Sequence, residues 1–176
     1  QKLIDLSLAN KGKEMPYGDE TRGGDTFLTS VTHSNPNESL SKGIEWKDHT
    51  AVYHGGDVDP TTPPLDYDVV TRVNSICKSF DSTANLDYVG VIRWPVGTFM
   101  KPHFDDNNVH NPDIFAAMLY LNNNFSGGCT CFEDFEVKPE PGKLIIFSNS
   151  QYLHYVSKVE GDERFVLSFW YNSLNK

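Results

Sequence analysis

The sequence predicts a mainly β fold with flanking helices, of the sandwich or jelly-roll type. In the second half of the chain, apolar and polar residues alternate with a period of two over several short segments, which is typical of half-buried strands. Clusters of Gly, Pro, Asn and Asp separate these segments and provide the turns. Because strands and helices do not alternate along the chain, a parallel α/β sheet is not expected.

The length of the chain favours a single domain spanning residues 1–176. A chain of 176 residues is long enough to bury a real core and short enough to need only one. Residues 1–64 are rich in Gly, Asp, Asn, Ser, Thr and Pro and end in the turn-forming segment 59–64. We interpret them as an N-terminal elaboration on residues 65–176, which are expected to hold a helix and the β core.

The helix and the strands follow from changes in periodicity. Val69, Val73, Ile76 and Phe80 repeat at helical spacing and predict one amphipathic helix over Leu65–Phe80, with this face packed on the core. Beyond the helix the period changes to two. The predicted strands are Asp87–Trp94, Phe115–Leu121, Thr130–Phe135, Lys143–Ser148 and Arg164–Tyr171.

The composition limits the classes of binding partner and the cellular location that are expected. The formal net charge is −9 and the four Arg residues are scattered, so no basic footprint for nucleic acid is visible and DNA or RNA is disfavoured as a partner. No apolar stretch is long enough for a signal peptide or a transmembrane helix, which predicts a soluble, cytoplasmic location and no membrane partner. Three Cys residues do not make a disulfide framework in a chain of this size and fit a reducing compartment.

A His-x-Asp triplet and one distant His form a candidate metal site. His103 and Asp105 are expected in a polar loop just beyond a predicted strand, and this triplet alone is a weak signal. His154 lies 51 residues after His103, behind the predicted strand Lys143–Ser148 and a short loop. Two imidazoles and one carboxylate form the facial triad that holds Fe(II) and leaves adjacent positions open.

Arg164 is the candidate anion-binding residue. It opens the last predicted strand, on which Arg164, Ser168 and Trp170 share one face, while aromatic and aliphatic side chains share the other. An Arg directed into a barrel beside a metal can hold a carboxylate through two parallel hydrogen bonds. The alternative is a surface ion pair with Glu160 or Asp162, which the spacing leaves equally open.

Several short motifs follow one another between Leu65 and Tyr171. The first are Trp94–Asp105 (WPVGTFMKPHFD), Tyr120–Asn122 and the Gly-Gly segment Ser126–Phe132. After them come Pro141–Phe147, His154, Gly161, Arg164 and Trp170. In this order the motifs resemble those of the prolyl 4-hydroxylase-like family of Fe(II)/2-oxoglutarate-dependent dioxygenases. The first is similar to that family's first ligand motif, and the second to its strand carrying a Tyr near the cosubstrate.

This resemblance implies a double-stranded β-helix (jelly roll) with the iron at one mouth. It also implies Fe(II), 2-oxoglutarate and O2 as cofactors, with ascorbate as a further candidate. The implied metal ligands are His103, Asp105 and His154. The implied contacts of the cosubstrate are Arg164, which would pair with its distal carboxylate, Tyr120 and Trp94.

Departures from the family pattern leave the substrate open. The family usually has Tyr at the positions of Trp94 and Met100, and a Trp offers only an indole N–H in place of a hydroxyl. Collagen-type members usually have Lys at the position of Arg164, whereas hypoxia-sensing members have Arg. The candidate substrate contacts are Tyr88, Arg93, Met100 and Trp170, with Asn107, His110 and Tyr152 as further candidates.

By resemblance, we expect hydroxylation of a proline-containing peptide or protein, with release of succinate and CO2. A free amino acid or another small molecule is the alternative within the same class, because the Tyr positions of the pocket have changed. From a different class, a non-catalytic jelly-roll binding module is the other alternative. A complete set of ligands together with the basic residue favours the enzyme.

Overall fold

The structure of the protein is a computed structural model that describes residues 1–9, 11, 15–17, 22–33, 52–54, 57–59, 67–105, 113–148 and 150–173. Two helices are described, α1 (Lys2–Ala9) and α2 (Tyr67–Phe80). Helix α2 confirms the predicted amphipathic helix, although the predicted start at Leu65 lies outside the described residues. The predicted core face is wrong in part, because Val70, Val73 and Cys77 are buried, whereas Ile76 is 45% and Phe80 71% exposed. Neither described helix is long and apolar enough to cross a membrane.

Fifteen strands are described, most of them in two antiparallel sheets. In chain order they are β1 (Met15–Tyr17), β2 (Arg22–Gly23), β3 (Thr26–His33), β4 (Val52–His54), β5 (Asp57–Asp59), β6 (Ala84–Trp94), β7 (Phe99–His103), β8 (Asp113–Tyr120), β9 (Ser126–Gly127), β10 (Thr130–Phe132), β11 (Glu136–Val137), β12 (Leu144–Phe147), β13 (His154–Val156), β14 (Val159–Glu160) and β15 (Arg164–Ser173). The larger sheet has the order β1-β3-β6-β15-β8-β12, and the smaller sheet has the order β11-β10-β13-β7-β2. Two short pairs, β14-β9 and β4-β5, complete the described strands.

The larger sheet lies between the helices and the smaller sheet, so each of its faces packs on a different layer. On one face, Phe165 and Leu167 of β15 pack with Val70 and Val73 of α2 in the main apolar cluster. On the other face, the larger sheet contributes Ile92, Trp94, Tyr120 and Val166 to a second cluster, and the smaller sheet contributes Met100 and Val156. The alternation predicted for the last strand is therefore confirmed, because odd and even residues of β15 face different layers.

The mainly β fold of the double-stranded β-helix type is confirmed, with two local corrections. The predicted strand Thr130–Phe135 is wrong in its extent, because β10 ends at Phe132 and the chain turns, with the amide of Phe132 donating to the carbonyl of Phe135 at 2.8 Å. His103 ends strand β7 and does not lie in a loop beyond a strand. Strand β7 was not predicted, because Met100 is its only buried residue and the segment shows no alternation of buried and exposed side chains.

Candidate active site

Two neighbouring strands of the smaller sheet bring the candidate imidazole ligands together. β7 ends at His103 and β13 begins at His154, and the antiparallel register places these residues opposite each other. Their ring centroids are 4.4 Å apart. Asp105 lies two residues beyond His103, where the chain leaves β7, and its two carboxylate oxygens face one imidazole each.

The three donor groups are spaced like ligands of one metal ion. Nε2 of His103 lies 3.0 Å from Oδ1 of Asp105, and Nε2 of His154 lies 3.6 Å from Oδ2 of Asp105. All the ligand atoms lie within 4.8 Å of one another. Imidazole and carboxylate ligands bind at about 2.0–2.2 Å from an ion, so neighbouring ligands at right angles stand about 3 Å apart. The arrangement suits the facial triad of non-haem Fe(II).

Both imidazoles are oriented by backbone carbonyl groups two residues earlier in the chain. Nδ1 of His103 lies 2.9 Å from the carbonyl oxygen of Lys101, and Nδ1 of His154 lies 3.0 Å from that of Tyr152. A carbonyl oxygen can only accept, so Nδ1 carries the proton and the lone pair of Nε2 is directed at the shared centre. Burial also lowers the pKa of His154, which favours the neutral imidazole that a metal requires.

Arg164 lies on the inner face of the larger sheet, with its side chain fully buried. It stands opposite Trp94 in the pairing of β15 with β6. Its guanidinium carbon is 5.0 Å from the centroid of the Trp94 ring and 5.6 Å from that of Tyr120. The alternative of a surface ion pair with Glu160 or Asp162 is wrong, because the side chain is buried and forms no ion pair with a described residue.

The guanidinium group keeps donors that the described residues do not satisfy. Only Nη2 has partners, Sδ of Met118 at 3.2 Å and Oγ1 of Thr130 at 3.4 Å. Nε and Nη1 of Arg164 and Nε1 of Trp94 are buried without a hydrogen-bond partner in the described part of the chain. Burial lowers the pKa of Arg164 to about 10, which still leaves it charged at neutral pH. Because a buried charge without an acceptor is costly, these donors fit a ligand that carries a carboxylate.

Tyr120 and Gly128 complete the surroundings of Arg164. The hydroxyl of Tyr120 donates to Oγ1 of Thr130 at 2.7 Å, so in this structure it holds the residue that Arg164 also contacts. Burial raises the pKa of Tyr120, which keeps the hydroxyl protonated. Gly128 has a positive φ of 59°, and a Cβ atom there would lie 3.0 Å from Cδ of Arg164 and 2.7 Å from the ring of Phe125. The absence of a side chain at Gly128 therefore leaves room for the guanidinium stem.

One cavity joins these features. Its walls include all three residues of the triad, together with Trp94, Thr130 and Trp170. Arg164 itself is fully buried, but two of these wall residues, Trp94 and Thr130, contact it. The triad and the residues that surround the buried cation therefore face the same space.

Arg22, which is not among the predicted site residues, also lines this cavity. Its guanidinium carbon lies 4.7 Å from the centroid of the Trp94 ring, and its Nη1 donates to Oγ1 of Thr26 at 3.1 Å. The short strand β2 pairs with β7 and places Arg22 opposite Met100. No local pattern marks Arg22, because only this long-range strand pairing brings the N-terminal region to the site.

The predicted substrate contacts fall into three groups, and Tyr152 joins Arg93 among those that do not line the cavity. Met100 and Trp170 line the cavity, as predicted for residues near the metal. Arg93 is not brought to the cavity: it is buried on the opposite face of β6 from Trp94 and pairs with Glu163 at 2.8 Å. The residues whose side chains lie outside the description are Tyr88, Asn107 and His110.

The fold and the site define a class of protein, a double-stranded β-helix with a facial triad and a buried cation around one cavity. Residues 89–172 match the family model of the 2OG-Fe(II) oxygenase superfamily. The superfamily implies Fe(II), 2-oxoglutarate and O2 as cofactors. The triad fits the iron, and the unsatisfied donors around Arg164 fit a dicarboxylate.

Solved structures support the fold. A prolyl-4-hydroxylase of Pseudomonas putida aligns with a TM-score of 0.66 and 17% identity, over 97% of this chain and 83% of that one. A Trichoplax adhaerens prolyl hydroxylase in complex with a hypoxia-inducible-factor peptide fragment aligns with a TM-score of 0.61 and 15% identity, over 98% of this chain and 77% of that one. A viral collagen prolyl hydroxylase of Paramecium bursaria Chlorella virus-1 aligns with a TM-score of 0.54 and 16% identity, over 86% of this chain and 98% of that one. No curated protein sequence matches the chain.

Proposed function

We propose that the protein is an Fe(II)/2-oxoglutarate-dependent hydroxylase that acts on a prolyl residue of a peptide or protein. One observation carries the proposal: the facial triad and the residues around the buried, unsatisfied guanidinium of Arg164 line a single cavity. A metal site alone would serve many proteins. A metal site whose cavity wall contacts a buried, unsatisfied guanidinium group suits the dicarboxylic cosubstrate of this superfamily.

The residues of the chain have separate tasks in this proposal. When bound, Fe(II) would supply the oxidative chemistry, in which O2 gives one oxygen atom to 2-oxoglutarate, yielding succinate and CO2, and the other to the hydroxylated substrate. His103, Asp105 and His154 hold the metal on one side and leave its other side to the cavity. Arg164 holds the distal carboxylate of the cosubstrate, with the indole N–H of Trp94 as a further donor.

The prolyl substrate is supported by the structural relatives. The three solved relatives described above are prolyl hydroxylases, and one of them was solved with a peptide fragment. The likeness to this chain lies in the fold, so a prolyl residue in a flexible segment is the first substrate to test. Met100 and Trp170 form the apolar part of the cavity wall that a pyrrolidine ring would contact.

Arg22 favours a second candidate, the hydroxylation of a small molecule that carries a carboxylate. Its guanidinium group lies at the cavity wall, within 4.7 Å of the Trp94 ring centroid. A cation in this position would bind the carboxylate of a free amino acid as a charge-assisted pair. This candidate differs from the first in that the substrate would be one residue and not a chain.

The test combines both candidates in one experiment. The protein is prepared without oxygen, loaded with Fe(II) and 2-oxoglutarate, and then exposed to oxygen with proline-containing peptides or with free amino acids. We expect succinate formation coupled to a peptide mass gain of one oxygen atom, and neither product with Asp105→Ala. Coupled turnover of a free amino acid alone would replace the first candidate by the second. Failure of the wild type to bind Fe(II) would refute both.

A further inference from the structure

A chain of aromatic rings leads from the candidate ligand His154 to the protein surface. Phe147 is part of the cavity wall and lies edge-on to His154 with ring centroids 4.9 Å apart. Phe132 lies edge-on to Phe147 at 5.1 Å, stacks on Phe135 at 4.7 Å and makes an edge contact with Tyr152 at 6.3 Å. We call Phe132, Phe135, Phe147 and Tyr152 the aromatic lip.

Two rings of the aromatic lip, those of Phe135 and Tyr152, are exposed to solvent although both contact a buried ring. Phe135 is 57% exposed and Tyr152 is 53% exposed, whereas Phe132 between them is buried. Phe135 stacks on the buried ring of Phe132 and Tyr152 makes an edge contact with it, so both exposed rings are held in place. Binding a partner would therefore cost these two side chains little additional entropy. Exposed aromatic surface continuous with a reaction cavity is typical of a site where a partner binds.

The aromatic lip is also tied to the metal site through the backbone. The carbonyl group of Tyr152 accepts the hydrogen bond from Nδ1 of His154. Phe132 stands opposite His154 in the pairing of β10 with β13. The surface formed by the lip is therefore fixed relative to the candidate metal ligand by one hydrogen bond and by one strand pairing.

The charge around the aromatic lip is negative. Glu133 and Asp134 form the turn that carries Phe135, and Glu136 follows it. All three carboxylates are exposed, and none forms an ion pair with a described residue. Aromatic faces bordered by carboxylates attract Lys and Arg side chains by ion pairing and by cation–π contacts.

We propose that the aromatic lip docks a basic, extended segment of the polypeptide substrate, next to the prolyl residue that reacts. The inference rests on the proposed prolyl hydroxylase function and adds a second recognition site to it. Proline-rich segments in the polyproline II conformation bind to aromatic grooves without a large loss of entropy. Three ring-to-ring steps of 4.9, 5.1 and 4.7 Å connect His154 to Phe135. These steps set an upper limit on the straight distance, and an extended chain advances about 3.3 Å per residue, so the docked residues lie within about five positions of the reacting proline.

The test compares long and short peptides. The long peptides have about twelve residues and one central proline in an Ala and Gly background, with a pair of Lys or a pair of Glu about four to five positions away on either side. The short peptide is the capped central tripeptide. The readout is the ratio of kcat/KM for the long peptide to kcat/KM for the short one. The variants are Phe135→Ala, Tyr152→Ala and Glu133→Gln, and the control is Phe80→Ala, an exposed Phe on helix α2.

We expect the Lys-bearing long peptide to exceed the short peptide by about tenfold in kcat/KM, and Phe135→Ala to reduce this ratio by about fivefold through KM. Glu133→Gln should reduce the preference for Lys over Glu, while Phe80→Ala keeps both ratios. Hydroxylation of every peptide without preference for length or charge would refute the docking site and leave the proposed function standing. Hydroxylation of no peptide would refute both. Self-association in sedimentation that Phe135→Ala abolishes would overturn the inference, because the occupant would then be a second copy of the chain.

Discussion

The substitution Arg164→Met is expected to uncouple the stability of the protein from its affinity for 2-oxoglutarate. Arg164 is fully buried, and its Nε and Nη1 groups have no hydrogen-bond partner among the described residues. Its remaining contacts, to Thr130 at 3.4 Å and to the sulfur of Met118 at 3.2 Å, are long or weak. Met has a similar length and no charge, so it can fill the space without a buried cation.

Arg164→Met should leave the free energy of unfolding unchanged or raise it, and it should lower the affinity for 2-oxoglutarate. Replacing a buried charge by an apolar side chain of similar volume is often neutral or stabilising by about 1–4 kcal/mol. A hydrogen bond to a charged group contributes about 1.5–3 kcal/mol, so losing two of them weakens 2-oxoglutarate binding by about 100-fold or more. At a concentration of about 100 times the wild-type Kd, 2-oxoglutarate then stabilises the wild type by about 2.7 kcal/mol and the variant by less than about 0.5 kcal/mol.

The assay is urea unfolding of both proteins with and without 2-oxoglutarate, in the presence of Mn(II). Mn(II) binds the same carboxylate and imidazole ligands as Fe(II), but it is not itself oxidised in air during the measurement. Arg93→Met is the matched control, because Arg93 is also buried in the larger sheet but is ion-paired with Glu163 at 2.8 Å. The control should lower the free energy of unfolding and leave the stabilisation by 2-oxoglutarate unchanged. If Arg164→Met were strongly destabilised yet still stabilised by 2-oxoglutarate as the wild type is, Arg164 would be a structural residue and the reasoning would be wrong.

Three further predictions address the metal, the cavity wall and the room around Arg164. Asp105→Ala should reduce the affinity for Mn(II), measured by calorimetry, by more than the 10–100-fold that is typical of lost outer-shell partners; wild-type affinity would remove Asp105 from the ligand set. Arg22→Met should raise the KM of the substrate by about tenfold while stabilisation by 2-oxoglutarate persists, because the distal carboxylate pairs with Arg164; an unchanged KM in initial-rate assays would exclude Arg22 from substrate binding. Gly128→Ala should raise the KM for 2-oxoglutarate, because the new Cβ would press on the stem of Arg164. The control is Gly142→Ala, because Gly142 also has a positive φ but its added Cβ would meet no atom within 4 Å. This variant should lower the free energy of unfolding by about 1–2 kcal/mol and leave the KM for 2-oxoglutarate unchanged. An equal increase of this KM in both variants would show that contact with Arg164 is not the cause.

Local spacing in the sequence was sufficient for much of the candidate site. The period of two in the last strand places Arg164, Ser168 and Trp170 on one face, and the structure confirms that this face looks into the second apolar cluster and the cavity. The His-x-Asp triplet allows both ligands to reach one point because only one residue separates them. The same alternation argues against Arg93, since neighbours on a strand face opposite sides and Trp94 faces the cavity.

The sequence by itself determined the mainly β fold, the amphipathic helix, the proximity of His103 and Asp105, and the inner face that carries Arg164. These features depend on residues that are close along the chain, where backbone periodicity fixes the direction of each side chain. Only the tertiary structure decided that His103 stands opposite His154, that Arg22 reaches the cavity through the pairing of β2 with β7, and that the donors of Arg164 stay unsatisfied. Many strand pairings satisfy the same local pattern, and the packing of the whole core selects one of them.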